Sequence, residues 1–196
     1  MLKRAFDIIL SLFGIIIISP LILVISLLLL IDSKGGIFFI QERVGKNGKI
    51  FKLIKFRTMK VGSQRQSSLT IGGRDPRITR FGYYLRKYKM DELPQLINVI
   101  KGEMSIVGPR PELQKYVKLY NKDQLEVLKV RPGITDLASI KYRNESDLLS
   151  NSENPEKLYV SEIMPEKLKL NYEYISSRSF WSDLVIIFKT IAVIFK

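Results

Sequence analysis

The apolar stretch IILSLFGIIIISPLILVISLLLLI, residues 8–31, decides how this chain is organised. Its 24 uncharged residues lie between Asp7 and Asp32. As a helix they would measure about 36 Å, enough to cross a hydrocarbon core of about 30 Å. The run is too long for a cleaved signal peptide, and no small-residue cleavage site follows it. A membrane segment is therefore predicted over residues 1–33.

Two features of this run favour a helix that enters and leaves by the same membrane face over a single crossing. Ser19-Pro20 lies at its centre, where proline removes a backbone N–H and the Ser19 hydroxyl can bond to the freed backbone. Both flanks are basic, and basic flanks prefer the cytoplasm. Because one crossing cannot keep both flanks there, we predict a re-entrant helix bent at Ser19-Pro20, although prolines also kink ordinary spanning helices.

The net charge of +13 is concentrated in one segment of the chain. Residues 33–90 hold 15 basic side chains against Glu42 and Asp75, whereas basic and acidic residues cancel elsewhere. This segment suits a polyanionic phosphate ligand or, alternatively, a solvated face attracted to anionic membrane lipid. The sequence has no nucleic-acid-binding motif and the segment adjoins a membrane helix, so nucleic acid is not an expected partner.

The chain has no cysteine and no histidine. This composition excludes disulfides, thiolate nucleophiles, Cys/His metal sites and Ser-His-Asp triads. Any catalysis must use carboxylates, lysine, arginine, tyrosine, hydroxyl groups or an oxygen-ligated metal.

After the membrane segment the pattern predicts a mostly helical α+β catalytic domain over residues 34–196. A small β-hairpin is expected over 35–59, where two β-rich runs flank the turn signal Asn47-Gly48. Residues 60–77 are typical of a mobile loop with few core anchors. The amphipathic segment 179–196 fits a helix in the membrane interface or, equally, in the core. Other expected elements are helices over 77–88, 92–104 and roughly 112–128, rigid proline turns at 107–112 and 130–136, and a loop with a short helix over 144–166.

The basic segment ends at two adjacent acids, Asp91 and Glu92, within KYKMDELPQLINV (88–100). Their simplest explanation is structural, since acids suit an N-cap and the first turn of a helix. A carboxylate there, near cations, should also have a lowered pKa and stay ionised. It could then attack phosphorus to form an acyl phosphate while the second carboxylate holds Mg²⁺. The cations expected to neutralise the phosphoryl charge are Lys55, Arg86, Arg110, Arg131 and Arg143.

Four motifs together resemble the bacterial sugar transferase family, the monotopic phosphoglycosyl transferases that begin glycan assembly on polyprenol phosphate. They are KFRTM (55–59), DPRITRFGYYLR (75–86), DELPQLINVIKGEMSIVGPRPE (91–112) and RPGIT (131–135), behind an apolar helix interrupted by Ser-Pro. The resemblance covers about residues 1–143, and it also implies a C-terminal amphipathic helix. Motifs of this length in this order are highly specific.

The resemblance implies transfer of a phosphosugar from a UDP-sugar to undecaprenyl phosphate, with release of UMP and with Mg²⁺ as cofactor. It implies a location at the cytoplasmic face of the bacterial inner membrane and a re-entrant helix bent at Ser-Pro. Asp91 would be the nucleophile that forms a covalent intermediate, with Glu92 beside it at the metal. Residues that match phosphate-binding positions are Lys55, Arg86, Arg110 and Arg143, and the nucleotide is expected near Arg131, Pro132 and Gly133.

The sequence departs from the family pattern at one position. Many members read GITG followed by Trp and AQ, whereas this chain reads GITDLASIKYRN (133–144). Asp136 adds a negative charge where glycine is usual, which leaves the nucleotide or sugar preference open.

Two alternatives to this chemistry stay open. One is a non-catalytic membrane adaptor that binds anionic lipid through its basic segment. The other is an enzyme in which Asp91 or Glu92 acts as a general base that activates the lipid phosphate for direct transfer. The sequence also leaves open which sugar and which glycan pathway are served, and whether the chain forms a homodimer.

Overall fold

The computed structural model describes residues 2–32, 35–63 and 69–194. Its architecture is the predicted mostly helical α+β fold, with an N-terminal apolar helix, a small antiparallel hairpin and a helical body that contains two short parallel strands. The helices are α1 (Leu2–Asp32), α2 (Arg80–Lys87), α3 (Gln95–Lys101), α4 (Gln114–Val117), α5 (Leu137–Lys141), α6 (Glu145–Ser150), α7 (Pro155–Leu158), α8 (Met164–Ser177) and α9 (Phe180–Ile194), and the strands are β1 (Phe38–Val44), β2 (Ile50–Phe56), β3 (Ser105–Val107) and β4 (Gly133–Thr135).

Helix α1 runs through Pro20 without a break, and it alone among the described helices is long and apolar enough to cross a membrane. Ser19 Oγ donates to the carbonyl of Ile16 at 2.8 Å. This is the carbonyl that a residue with an N–H at position 20 would bond in a regular helix. The predicted hydroxyl bond is therefore present, and the bend itself stays a prediction.

The start of α1 is bonded to the body of the protein. The Arg4 guanidinium donates to the carbonyls of Val99 at 2.7 Å and Ile100 at 3.1 Å, in the last turn of α3. The Asp7 carboxylate accepts a bond from Ser105 Oγ at 2.8 Å, at the start of β3. The Arg4 contacts satisfy helix-end carbonyls that would otherwise lack partners, and the Asp7 contact joins α1 to β3.

The far end of α1 packs on the same body. Ile25 and Leu29 are buried in an apolar cluster with Phe56 of β2 and Leu85 of α2. Between the two ends, Ile16 is 69% exposed. Both ends of the apolar helix therefore rest on one body, whereas the side chain of Ile16 near its centre is exposed.

The hairpin is as predicted. β1 and β2 pair antiparallel from Phe38 opposite Phe56 to Val44 opposite Ile50. The turn contains Asn47 and Gly48 at φ 57° and 74°, which is the left-handed region that this dipeptide favours. One hairpin face is buried against α3 and so fixes the end of β2.

The parallel pair β3 and β4 brings two proline turns together. Ser105 lies opposite Gly133 and Val107 opposite Thr135. Gly108 follows β3 directly, and a Cβ built on Gly133 would lie 2.1 Å from its backbone nitrogen. Only a residue without a side chain allows this approach. The turn after β3 consequently lies beside the start of α5.

The helix predicted over 112–128 is wrong, since the chain forms α4 and a 3₁₀ helix over Gln124–Lys129 instead. Asn121 and Gln124 explain the break. The Gln124 N–H donates to Asn121 Oδ1 at 2.8 Å, and the Asn121 N–H donates to Gln124 Oε1 at 2.9 Å. This reciprocal capping starts a new helical segment in place of continuing the first.

Other helix predictions were correct in type and imprecise in length. The helix predicted over 77–88 is α2, which begins three residues later than predicted, after the N-cap Thr79. The segment predicted over 92–104 becomes α3, which ends at Gly102 with φ 87° as a left-handed C-terminal residue should. Helix α8 was not predicted, and the region 144–166 contains α6, α7 and a π-helical turn.

The loop predicted over 60–77 is better anchored than expected, although its residues 64–68 lie outside the described part of the chain. Leu69 is buried in the largest core cluster. Asp75 and Arg77 form a buried ion pair in which Nη2 lies 2.6 Å from Oδ2. A buried, hydrogen-bonded pair is costly to separate, so the second half of this segment is fixed.

Helix α9 has one buried face and one exposed apolar face. Asp183 and Ile186 are buried, whereas Trp181 is 74% and Phe188 68% exposed. The inner face belongs to the core. A membrane-interface position for the outer face is still a prediction.

Candidate active site

The acid pair lies in a 3₁₀ turn, Met90–Glu92, between α2 and α3. Lys89 reverses the chain at this point with φ 56°. The flanking side chains Met90 and Leu93 pack into the apolar cluster beneath α1. Both acids are 7% exposed and line a large cavity on the inner side of the turn. The apolar anchors on either side hold the turn and so fix both carboxylates.

Glu92 is held by two cations. Lys55 Nζ at the end of β2 lies 2.8 Å from Glu92 Oε1. Arg110 donates through Nη1 to Oε2 at 3.1 Å and through Nη2 to Oε1. Planar guanidinium and carboxylate groups match in such two-point contacts. Burial alone would raise the pKa of Glu92, but the charges of Arg110 and Lys55 outweigh it and hold this pKa well below its usual range.

Asp91 has the opposite environment. Among the residues the structure describes, its buried Oδ1 has no hydrogen-bond partner. Burial raises the pKa of Asp91, Lys55 opposes this shift, and the charge of Glu92 adds to it. The lowered pKa predicted for a carboxylate at this position is therefore correct for Glu92 and wrong for Asp91. The reason is that Glu92 takes the direct ion pairs, while Asp91 is buried without one.

The basic groups around the pair are partly desolvated. Burial lowers the pKa of Lys55 to about 8, although the charge of Glu92 works against this shift. Glu92 holds the pKa of Arg110 above its usual range. Arg86 in α2 also lines the cavity, and its Nη2 donates to Thr70 Oγ1 at 2.8 Å. The site thus contains two strongly held charges and one lysine that can lose its proton.

The loop that carries Arg110 is fixed from two sides. Pro109 and Pro111 restrict its backbone, and the Arg43 guanidinium donates to the carbonyl of Pro111 at 3.1 Å. On the other side the Arg110 N–H donates to Asp136 Oδ2 at 3.0 Å. The proline bracket correctly indicated an aimed arginine. The Arg43 and Asp136 contacts join distant parts of the chain, and no local sequence signal indicated them.

The cavity has a volume of about 1000 Å³. Its wall runs from the acid pair past the Arg110 loop to α5, α8 and α9. Seven of the predicted site residues line it, namely Lys55, Arg86, Asp91, Glu92, Arg110, Pro132 and Arg143. Arg143 at the far end also donates to the carbonyl of Ile194 at 3.3 Å.

Two predicted site residues lie elsewhere. Arg131 is exposed, and its Nε donates to the carbonyl of Gly102 at 2.9 Å, near the end of α3. Gly133 is packed against Gly108 at the β3–β4 pair. Neither is among the residues that line the cavity.

The donor set fits Mg²⁺ as part of a shared site. The described residues contain no group of three or more carboxylates that could hold a metal. Asp91 and Glu92 are adjacent, and the buried Asp91 Oδ1 lacks a partner. Mg²⁺ in phosphate-transfer sites typically takes one or two carboxylates and completes its shell with phosphate oxygens and water. Of the two acids, Asp91 has the available oxygen, because both oxygens of Glu92 are already bonded.

A family model described as bacterial sugar transferase matches residues 1–196. Among curated proteins, the chain is 35% identical to the exopolysaccharide production protein ExoY of Sinorhizobium fredii, over 98% of this chain and 84% of that protein. The match with ExoY of Rhizobium meliloti is 34% over 99% of this chain and 85% of that protein.

Two further relatives have names that state their activities. The chain is 39% identical, over 97% of its length, to the UDP-glucose:undecaprenyl-phosphate glucose-1-phosphate transferase of Escherichia coli. It is 34% identical, over 98% of its length, to the UDP-N-acetylgalactosamine-undecaprenyl-phosphate N-acetylgalactosaminephosphotransferase of Aeromonas hydrophila. The chain spans 39% and 43% of these two proteins.

Proposed function

The chain belongs to the bacterial sugar transferase family, and from this membership we propose that it transfers a phosphosugar from a UDP-sugar to undecaprenyl phosphate, releasing UMP. The product would be the first membrane-linked intermediate of a glycan. Two relatives whose names state UDP-sugar and undecaprenyl-phosphate substrates support this choice.

The observation that carries the proposal is the contrast between the two acids. Glu92 is neutralised by Lys55 and Arg110, whereas Asp91 keeps a buried carboxylate oxygen without a partner. An unsatisfied buried acceptor costs about 1–3 kcal/mol, and a purely structural role for the acid pair gives no reason for that cost. A nucleophile at the wall of a cavity needs that oxygen free.

The proposed reaction has two displacements at one phosphorus. In the first, an Asp91 carboxylate oxygen bonds to the β-phosphorus of the UDP-sugar, and the bond from that phosphorus to the bridging oxygen breaks, which releases UMP. In the second, a phosphate oxygen of undecaprenyl phosphate bonds to the same phosphorus, and the acyl phosphate bond to Asp91 breaks. The carboxylate is regenerated, and the lipid carries the sugar as a diphosphate. No net proton transfer is needed.

The remaining groups stabilise charge in both displacements. Lys55 and Arg86 place positive charge near Asp91, and Arg110 lines the same cavity, where the phosphoryl oxygens would lie. Arg143 lines the same cavity further out and suits the second phosphate of the nucleotide. Mg²⁺, which we propose binds at the acid pair through Asp91, because both oxygens of Glu92 are already bonded, would neutralise phosphate charge when bound. The cavity of about 1000 Å³ is large enough for a ligand the size of a UDP-sugar.

We further propose that the site lies at the cytoplasmic face of the inner membrane, with α1 re-entering by that face. The support is that Arg4 and Leu29, near opposite ends of α1, contact the same body. A helix that crossed the bilayer would have to place its ends about 30 Å apart on opposite sides. The exposed apolar centre of α1 would be the part inserted in lipid.

The direct test is UMP release from a panel of UDP-sugars with undecaprenyl phosphate and Mg²⁺. We expect turnover with at least one sugar and near-complete loss in Asp91→Asn. The matched control is Asp123→Asn, an exposed aspartate without a side-chain cap bond, which should keep full activity. If Asp91→Asn were as active as the wild type, the catalytic proposal would be wrong, and no release with any sugar would favour the adaptor.

A further inference from the structure

Asp136 is a fully buried carboxylate at the N-cap of α5, immediately after β4. Oδ1 accepts the Ser139 N–H at 2.5 Å, and Oδ2 accepts the Arg110 N–H at 3.0 Å. Each oxygen thus serves a different segment of the chain. The first bond is an ordinary helix cap, whereas the second crosses to the turn after β3.

The second bond is not explained by capping. A buried carboxylate needs hydrogen bonds to offset its loss of hydration, and a cap alone would leave Oδ2 without one. The close Gly108–Gly133 approach brings the two turns near enough for Oδ2 to find the Arg110 N–H. Asp136 therefore joins the start of α5 to the loop whose guanidinium reaches Glu92.

We propose that Asp136 is a positioning residue, which fixes the Arg110 backbone so that its guanidinium stays in two-point contact with Glu92. The part of this proposal that concerns catalysis rests on the proposed function. It gives a role to the acid whose effect the sequence left open, because the side chain is buried and bonded to backbone.

The rigid backbone on both sides of Arg110 transmits the effect of Asp136 to the Arg110 side chain. Pro109 and Pro111 fix φ on either side of Arg110, so the turn has few torsions that could absorb a backbone shift. A displacement at the Arg110 nitrogen would consequently move the guanidinium as well. Misplacement by about 1 Å of a group that supports a reaction can cost roughly 100-fold in rate.

Substitution at position 136 can separate the two bonds. In Asp136→Ser the hydroxyl can still cap the Ser139 N–H, but a single shorter oxygen cannot also serve the Arg110 N–H. Asp136→Ala loses both bonds. The matched cap control is Asn154→Ala, which removes an exposed cap on the Lys157 N–H at a residue that does not line the cavity.

The tether is measured by amide hydrogen exchange of the peptide around 108–112, with no need for enzyme activity. Pro109 and Pro111 have no amide hydrogen, so the signal comes from few positions. The bond from the Gly108 N–H to the Thr135 carbonyl, 3.0 Å long, should be unchanged. We expect the exchange rate of the Arg110 amide to rise about fivefold to tenfold in Asp136→Ser, because one hydrogen bond is lost. The rate should stay unchanged in Asn154→Ala. Unchanged exchange in Asp136→Ser would overturn the tether.

The catalytic consequence is measured by a double-mutant cycle in the UMP-release assay. We expect Asp136→Ser to lower kcat roughly 10- to 100-fold with little change in KM, and to have no further effect in an Arg110→Ala background. A full additional loss in that background, or an unchanged kcat in Asp136→Ser, would overturn the positioning role. If the wild type released no UMP, the proposed function would fail, and the exchange result would still decide whether the tether exists.

Discussion

Adjacent carboxylates in this protein have opposite environments, and the difference comes from which cations reach them. Glu92 receives the Arg110 guanidinium and Lys55. Asp91, one position earlier, receives neither directly, and its Oδ1 has no partner in the described part of the chain. Divergent environments of neighbouring acids commonly separate their chemical roles. In the proposed reaction, Glu92 holds the two cations in place and Asp91 attacks phosphorus.

The lowered pKa of Lys55 predicts an alkaline limit to activity. Its pKa of about 8 means that the cation is present below this pH and is lost above it. If the reaction needs that charge, kcat/KM should fall as the pH rises through about 8, since this ratio reports the free enzyme. In Lys55→Arg the charge persists to much higher pH, so the fall should move upward.

The control for this profile is Lys52→Arg, which makes the same substitution at an exposed position of the same strand. It should leave the alkaline limb where it is in the wild type. If kcat/KM of an active Lys55→Arg enzyme fell at the same pH as in the wild type, another group would control the alkaline limit.

Local sequence signals predicted the site residues whose position depends on their immediate neighbours in the chain. The prolines on either side of Arg110 indicated an aimed side chain, and the acid pair stood out against a basic segment. Asp136 was noticed, but its partner was not. Its bond to the Arg110 N–H joins residues 26 apart and depends on a parallel strand pair that the sequence pattern did not predict. Arg131 was expected at the nucleotide and instead bonds the end of α3.

The pairing of β3 with β4 sets the geometry of the site through two glycines. A Cβ on Gly133 would lie 2.1 Å from Gly108 N and 2.4 Å from its carbonyl oxygen. Backbone atoms in a strand pair cannot move aside as a flexible side chain can. The motif glycine at position 133 is thus explained by packing in this structure.

Gly133→Ala should therefore destabilise the protein. We expect the free energy of unfolding to fall by about 1–3 kcal/mol or more, the usual cost of overpacking, together with a loss of UMP release as the Arg110 loop shifts. The measurement is thermal unfolding of the purified protein beside the activity assay. Gly36→Ala, where nothing lies within 4 Å of the added Cβ, is the matched control and should behave as wild type. A stable, active Gly133→Ala protein would contradict this view of the strand pair.

Elements with strong local signals were predictable, and those decided by competing side-chain bonds were not. The Asn47-Gly48 turn and the Gly102 helix end were both found correctly. The long helix over 112–128 was predicted from its amphipathic spacing, but Asn121 and Gln124 cap each other within it. Helix α8 was missed; its buried face, formed by Met164, Leu168, Asn171 and Tyr174, includes a polar residue.

The first and the last helix of the structure, α1 and α9, are joined by an ion pair. Lys3 Nζ near the start of α1 lies 2.5 Å from Asp183 Oδ2 in α9 and donates to the carbonyl of Val107 at 3.1 Å. Tyr174 donates to the other oxygen of Asp183 at 2.6 Å. The first basic flank of the apolar helix is therefore bonded to the last helix of the body.

This arrangement predicts the accessibility of position 2. Because the chain has no cysteine, Leu2→Cys gives a single thiol at a residue that is 74% exposed. We expect no reaction with a membrane-impermeant maleimide added outside intact bacterial cells, and reaction after the inner membrane is permeabilised. Lys122→Cys, on the exposed surface of the body, should behave in the same way. Labelling of position 2 from outside intact cells would instead place it across the membrane from the active site and rule out the re-entrant topology.

The most direct test of the central claim is the intact mass of the purified protein after incubation with its UDP-sugar and without undecaprenyl phosphate. We expect the mass to rise by one phosphosugar, one UMP to be released per protein, and peptide mapping to find the adduct on Asp91. Addition of undecaprenyl phosphate should then remove the adduct. A protein that turns over both substrates yet forms no adduct, or forms it on a residue other than Asp91, would show that Asp91 is not the nucleophile.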